Sequence, residues 1–145
     1  MGNRIAIACD HGGFELKTFL LKHLERAGHT VINLGVDDTK SVDYPDKAKE
    51  LSSEILEGRA QFGILVCGTG IGICIAANRH KGIRAALCTN SFMAKMARAH
   101  NDANVLCLGG RVIGPALAED IVDVFLSSGF EGDRHIRRIT KIESQ

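Results

Sequence analysis

Short apolar runs and helix-patterned segments alternate along all 145 residues, and that alternation limits the fold more than any other feature. Ile5–Cys9, Thr30–Leu34, Phe62–Val66, Ile83–Cys88 and Val105–Leu108 read as strands. Between them, Phe14–Ala27 places Leu16, Leu20 and Leu24 on one helical face, with Gly28 as its C-terminal cap. Pro45 suits a first helical position, Ala48, Leu51 and Ile55 repeat at helical spacing, and Gly58 ends that element. Further helices are expected from the glycine loop after Cys67 to about Asn78, over Ser91–His100 and Pro115–Leu126, and from about His135 onward. Strands that are continuously apolar, each followed by a helix, indicate a parallel sheet covered on both faces. With right-handed crossovers this is a Rossmann-like α/β fold, a three-layer α/β/α sandwich, with residues 1–145 expected to form a single domain.

In such sheets ligands bind beyond the carboxyl ends of the strands, where strand order reverses. If the first strand lies between the second and the third, two loops become neighbours at that point. One is Asp10-His11-Gly12-Gly13 and the other is Cys67-Gly68-Thr69-Gly70. A dinucleotide fingerprint needs G-x-G-x-x-G with an acid about 20 residues on, whereas the loop here is G-x-G-x-G and the stretch Leu87–Asn90 offers no acid. A P-loop needs a lysine, and a cysteine phosphatase needs an arginine closing the loop; neither is present. The nearest thiol, Cys74, lies about two helical turns away, too far along for a resolving cysteine.

Two accounts of the loop remain. In one it is a tight turn with Cys67 buried beneath it. In the other, backbone N–H groups at a helix start stabilise negative charge and favour the thiolate of Cys67. A thiolate beside an anion cradle suits proton abstraction next to a carbonyl, with the enediolate held by Gly68 to Gly72.

The bulk numbers exclude several classes. A net charge of +1 gives no electrostatic reason to expect nucleic acid or an anionic membrane as partner. No apolar run approaches the roughly 20 residues of a membrane span, and the N-terminal run is too short for a signal peptide, so a cytoplasmic protein is expected. Five cysteines, an odd number with no C-x-x-C pair, argue against a disulfide framework or a zinc cluster.

Three polar groups stay open to two accounts. His11 is either an inert residue at a helix start or a phosphate or hydroxyl ligand. His100-Asn101-Asp102 is either a helix-terminating turn or the carrier of an acid/base imidazole. In the tail, Arg134, Arg137, Arg138 and Lys141 fall at i, i+3, i+4 and i+7. That stripe is either a solvated face, anchored through Ile136 and Ile139, or a fork for a phosphate monoester.

The segments "CDHGGFELK", "DYP", "CGTGIGICIAANRHKGIRAALC", "HNDANVLCLGGRVIG" and "GDRHIRRI", in that order, resemble the ribose-5-phosphate isomerase B family of sugar-phosphate isomerases over nearly the whole chain. The resemblance implies a five-stranded parallel sheet of order 2-1-3-5-4 with a C-terminal helix. It implies interconversion of D-ribose 5-phosphate and D-ribulose 5-phosphate through a cis-enediolate, in the pentose phosphate pathway, without metal or cofactor. It also implies a homodimer or dimer of dimers whose active site is shared between subunits.

Carried over by position, Cys67 is the base between C2 and C1, and Thr69 shuttles protons between the two oxygens. Gly68, Gly70, Ile71 and Gly72 hold the enediolate. His100 opens the furanose ring, with Asp10 and Tyr44 on its hydroxyls. His11, Arg134 and Arg138 bind the phosphate, and Asn101 and Arg111 complete the pocket from the partner subunit. Some family members use a glutamate base shortly after the loop; Ile73 stands there in this chain, which resembles the cysteine-based branch.

Asp133 departs from the family pattern, which often has glycine at that position. Related galactose-6-phosphate isomerase subunits tend to lose parts of the D-H, H-N-D or G-R-H motifs, all present here. The alternatives are an isomerase of a six-carbon sugar phosphate, allose 6-phosphate or galactose 6-phosphate, and a non-catalytic sugar-phosphate binding domain. The second would need neither a thiol at Cys67 nor an imidazole at His100.

Overall fold

In the computed structural model, which describes residues 2–145, five parallel strands form one sheet of order β2-β1-β3-β5-β4. The strands are β1 (Arg4–Cys9), β2 (Thr30–Asn33), β3 (Phe62–Cys67), β4 (Ala85–Leu87) and β5 (Val105–Gly109). Helices α1 (Phe14–Arg26), α2 (Tyr44–Leu56), α3 (Ile71–Ala77), α4 (Ser91–Asn101), α5 (Pro115–Ser127) and α6 (Arg134–Glu143) complete the chain. Among the described residues no helix is long and apolar enough to cross a membrane.

Alternation along the strands divides the core into two halves. Ile5, Ile7, Cys9, Ile64, Val66, Leu106 and Leu108 point to one face, where Leu16, Leu20 and Leu24 of α1 and Ile121, Val122 and Phe125 of α5 cover them. Ala6, Ala8, Leu65, Cys67, Val105 and Cys107 point to the other, against Leu51 of α2 and Ile73 of α3. Each fully buried Leu, Ile or Phe contributes about 1.5–3 kcal/mol, and the two-sided burial is why these strands read as unbroken apolar runs.

Two local features differ from the sequence expectation. Strand β4 is three residues long, because the backbone before it is engaged elsewhere. Ile83 N–H donates to His80 O, and Arg84 N–H to Asn104 Oδ1. A 3-10 turn over His11–Gly13 precedes α1, capped by Asp10 Oδ1, which accepts the Gly12 N–H at 2.9 Å.

Chain direction fixes where chemistry gathers. β1 and β3 are neighbours, and their onward connections leave in opposite directions across the sheet, so the switch point falls between them. Asp10 and Cys67 both sit there, at the carboxyl edge. Helix α4 runs back from that edge and ends at Asn101, just before β5 begins at Val105. His100 therefore lies at the amino edge.

Candidate active site

The carboxyl-edge site is built mainly from backbone. Gly70 adopts φ +82°, a left-handed conformation that suits glycine, and it turns its N–H back to donate to Cys67 Sγ at 3.1 Å. A Cβ on Gly70 would stand 2.6 Å from Leu87 Cδ1 and 2.8 Å from the Leu108 carbonyl carbon. Thr69 Oγ1 accepts the Ile71 N–H at 3.2 Å.

The loops after β1, β3 and β5 interlock through their main chains. Gly110 N–H donates to Cys67 O at 2.8 Å and Arg111 N–H to Gly68 O at 2.9 Å. A Cβ on Gly12 would lie 3.0 Å from Gly68 N, and one on Gly110 would lie 2.8 Å from Gly12 O. A side chain at Gly110 would force the backbone to shift, and one at Gly12 would press on it.

Side chains then enter from the rim. Tyr44, the first residue of α2, lies over Gly72, where a Cβ would meet its ring at 2.7 Å. Asp10 is 6% exposed, and one carboxylate oxygen is held by the Gly12 N–H. His11 Nδ1 accepts the Val42 N–H at 3.3 Å, which leaves Nε2 as the donor of the neutral ring. His11, Arg111, Gly12 and Gly110 line a cleft of about 210 Å³ together with Glu15, Leu16 and Thr39. Glu15 and Thr39 carried no signal in the sequence, since an acid in a helix start and a threonine in a polar loop are ordinary surface residues.

The five thiols are all free, and burial separates their chemistry. It pushes Cys9 and Cys88 up to about 11 and Cys107 well above the usual thiol range. A hydrogen bond from Cys107 lowers the half-buried Cys74. Cys67, 4% exposed, is the thiol seated in the loop.

The remaining predicted residues form a second cluster at the amino edge. Arg98 anchors it. Its guanidinium lies 4.8 Å from the Phe62 ring centroid, and Nη1 donates to Asp102 Oδ1 at 2.8 Å and Ala103 O at 2.7 Å. Asp102 closes α4 at φ +43°. Arg84 Nε donates to Asn101 O, and its Nη1 pairs with Glu143 of α6 at 2.7 Å. The His100 and His135 rings stack at 4.3 Å, 14° from parallel. Thus His135, 4% exposed, anchors α6, whereas Ile136, expected to do so, is 56% exposed. Arg134 and Arg138 are exposed on the same helix. Burial, followed by the charge of Arg134, holds the His135 imidazole below its ordinary pKa.

Within one chain the structure does not bring the two clusters together. The paired positions Gly63–Val105 and Cys67–Gly109 are four residues apart, so the edges are separated by about 13 Å of strand. Asp10, His11, Tyr44, Cys67, Thr69 and Gly68 to Gly72 share the carboxyl edge. His100, Asn101, Arg134 and Arg138 share the other. Arg111 falls with the first group: its Nη1 would be 3.4 Å from a Cβ on Gly68 of its own chain. The turn after β5 delivers Arg111 to the Cys67 loop of its own chain.

A backbone cradle around a buried thiol lies at the switch point of a parallel α/β sheet, where such folds bind small ligands, and the comparisons with known proteins give the class. A family described as Ribose/Galactose Isomerase matches residues 5–142. The chain belongs to that family, and it is a sugar-phosphate isomerase. It is similar to the solved ribose 5-phosphate isomerase of Thermotoga maritima, at 53% identity and TM-score 0.99, covering 100% of both chains. Ribose-5-phosphate isomerase B of Escherichia coli (strain K12) is 45% identical over 139 residues, 96% of this chain and 93% of that one. D-erythrulose-4-phosphate isomerase of Pectobacterium atrosepticum is 44% identical over 139 residues, 95% of this chain and 91% of that one.

Proposed function

We propose that the chain interconverts D-ribose 5-phosphate and D-ribulose 5-phosphate in the cytoplasm through a cis-enediolate, with Cys67 as the base. The observation that carries this is the Gly70 N–H donated to Cys67 Sγ at 3.1 Å inside a loop of main-chain donors. That contact fixes the sulfur inside the loop, and the neighbouring N–H groups suit the oxyanion that proton removal creates.

In the forward direction the thiolate takes the C2 proton of the open-chain aldose and the electron pair moves toward O1. Thr69 passes a proton between O2 and O1, and the Cys67 thiol returns its proton to C1, giving the ketose. Asp10 and Tyr44 hold hydroxyls, and His11 donates through Nε2 to the phosphate.

The separation of the clusters supports a shared site. A second copy of the chain brings its amino-edge cluster over the Cys67 loop, so that His100 opens the furanose ring and Arg134 and Arg138 hold the phosphate. Asn101 then completes the pocket. A homodimer is the smallest assembly that satisfies this.

The test is NMR of ribose 5-phosphate with protein and EDTA in deuterated water, beside a Cys67→Ala variant. Ribulose 5-phosphate should appear with the wild type and be nearly absent with the variant. Conversion surviving in Cys67→Ala would move the base elsewhere. No conversion by folded wild type would transfer the assignment to a four- or six-carbon sugar phosphate, tested with a panel of those compounds, or to a binding protein.

A further inference from the structure

The turn leading into α6 folds the Glu131 carboxylate against two imidazoles. Its backbone N–H donates to Ala99 O at 3.0 Å, which fixes the turn on the end of α4. His100 Nε2 and His135 Nε2 each lie 3.7 Å from Glu131 Oε1. One ligand atom from each of the three residues falls within 4.8 Å of the others. The isomerisation proposed above has no task for Glu131 or His135. Yet His135 is 4% exposed and its Nε2 is buried without a hydrogen-bond partner. Buried nitrogens are rarely left so.

We infer that His100, Glu131 and His135 form a binding site for a borderline divalent transition-metal cation of the Zn²⁺ class. Two imidazoles and one carboxylate suit such a cation, whereas Mg²⁺ and Ca²⁺ favour oxygen ligands throughout. A tetrahedral Zn²⁺ bound at its usual distances has ligand–ligand edges of about 3.4 Å. Two of the three edges here are 3.7 Å, a few tenths away. Three protein ligands leave a position for water.

Coordination through ring-plane lone pairs requires the stacked imidazoles to splay. His135 is fixed by burial, so the movement falls on His100, whose side chain is 37% exposed. The positive charge of Arg134 and Arg138 opposes the cation and Glu131 offsets part of it. Affinity is therefore below that of a closed four-ligand structural site. Bound metal occupies Nε2 of the imidazole proposed to open the ring, so the cation acts as an inhibitor. That consequence, unlike the site itself, rests on the function proposed above.

The experiment is titration of metal-stripped wild-type protein with Co²⁺, read by visible ligand-field absorption, with Zn²⁺ competition. One Co²⁺ per chain is expected, without thiolate charge-transfer bands and unchanged in Cys67→Ala. Glu131→Gln and His135→Gln should each weaken binding about tenfold or more. Glu131 is 53% exposed, so the Gln variant keeps the fold and decides the matter if His135→Gln disturbs α6. No binding, binding unaffected by Glu131→Gln, or binding lost with Cys67 would overturn the site. Inhibition by Zn²⁺ should follow occupancy. Metal bound as described with isomerisation unimpaired would confirm the site and remove His100 from ring opening.

Discussion

Cys67 Sγ and the Gly70 N–H are joined at 3.1 Å across a turn that Gly70 makes at φ +82°. The proposed base and the donor that positions its sulfur thus depend on one residue without a side chain. Gly70→Ala would add left-handed strain of about 1–2 kcal/mol and press a Cβ against Leu87 and Leu108. Turnover of ribose 5-phosphate should fall about 100-fold or more while circular dichroism stays native, since a 1 Å displacement at a reacting group costs that much. Cys67→Ser should be at least as damaging, measured in the same assay.

Separation of the two clusters to opposite sheet edges predicts complementation between inactive chains. Cys67→Ala and His100→Asn homodimers should each be nearly inactive. Unfolded together and refolded as an equal mixture, they should regain about a quarter of wild-type activity, because half the dimers are mixed and each has one intact site. Recovery near zero would place both residues in one subunit's site.

Asp133 enters α6 at φ +50° and ψ −125°, backbone space that favours glycine. A residue with a Cβ is strained there, whereas glycine is not. Asp133→Gly should raise stability by about 1 kcal/mol, read as an increase in Tm of a few degrees, with the fold unchanged.

Lys17 is 1% exposed and its ammonium donates to Asn33 Oδ1 at 2.9 Å and Asp37 Oδ1 at 2.8 Å. The hydrogen bond from Lys17, then that from Asn33, holds the Asp37 carboxyl below its ordinary value. A depressed carboxylate contributes stability above the ordinary range and loses it as pH falls through the folded value. Asp37→Asn should cost about 1–2 kcal/mol at pH 7 in urea unfolding, discounted because Asp37 is largely exposed. The penalty should shrink in acid.

Burial that raises Cys9 and Cys88 to about 11 acts at the other end of the scale. From about pH 9 toward 11 the unfolded thiols ionise and the folded ones do not, so stability falls as pH rises. Thermal melts between pH 8.5 and 10.5 should show this loss, reduced in Cys88→Ala. At pH 8, an alkylating reagent should label the half-buried Cys74 before Cys9, Cys88 and Cys107, which mass spectrometry would resolve.

The sheet was legible because its physics is written locally. Ile5, Ile7, Ile64 and Leu106 are apolar at positions whose neighbours are apolar too, which only a doubly covered strand explains. The glycine loop was legible because close backbone approach leaves a spacing in the sequence. Less visible were residues whose role arises only on packing. Arg98 reads as a charged helix residue, yet it lies buried over Phe62 and Phe125 and sets where His100 stands. Lys17 reads as the polar face of α1 and is buried all the same. His135 stands outside the stripe of Arg134, Arg137, Arg138 and Lys141, and only its stacking on His100 marks it out. The two-edge arrangement was implicit in the returning direction of α4, but it becomes evident only when β5 is placed beside β3.

The contacts among Gly12, Gly68 and Gly110 bear on how such a protein can change over generations. A floor made of main chain is inherited with the topology and does not hinge on the identity of any functional group standing on it. Replacement of reactive side chains can therefore explore new substrates while the platform persists. A saturation scan should find its strictest vetoes at positions that display nothing beyond the α-carbon.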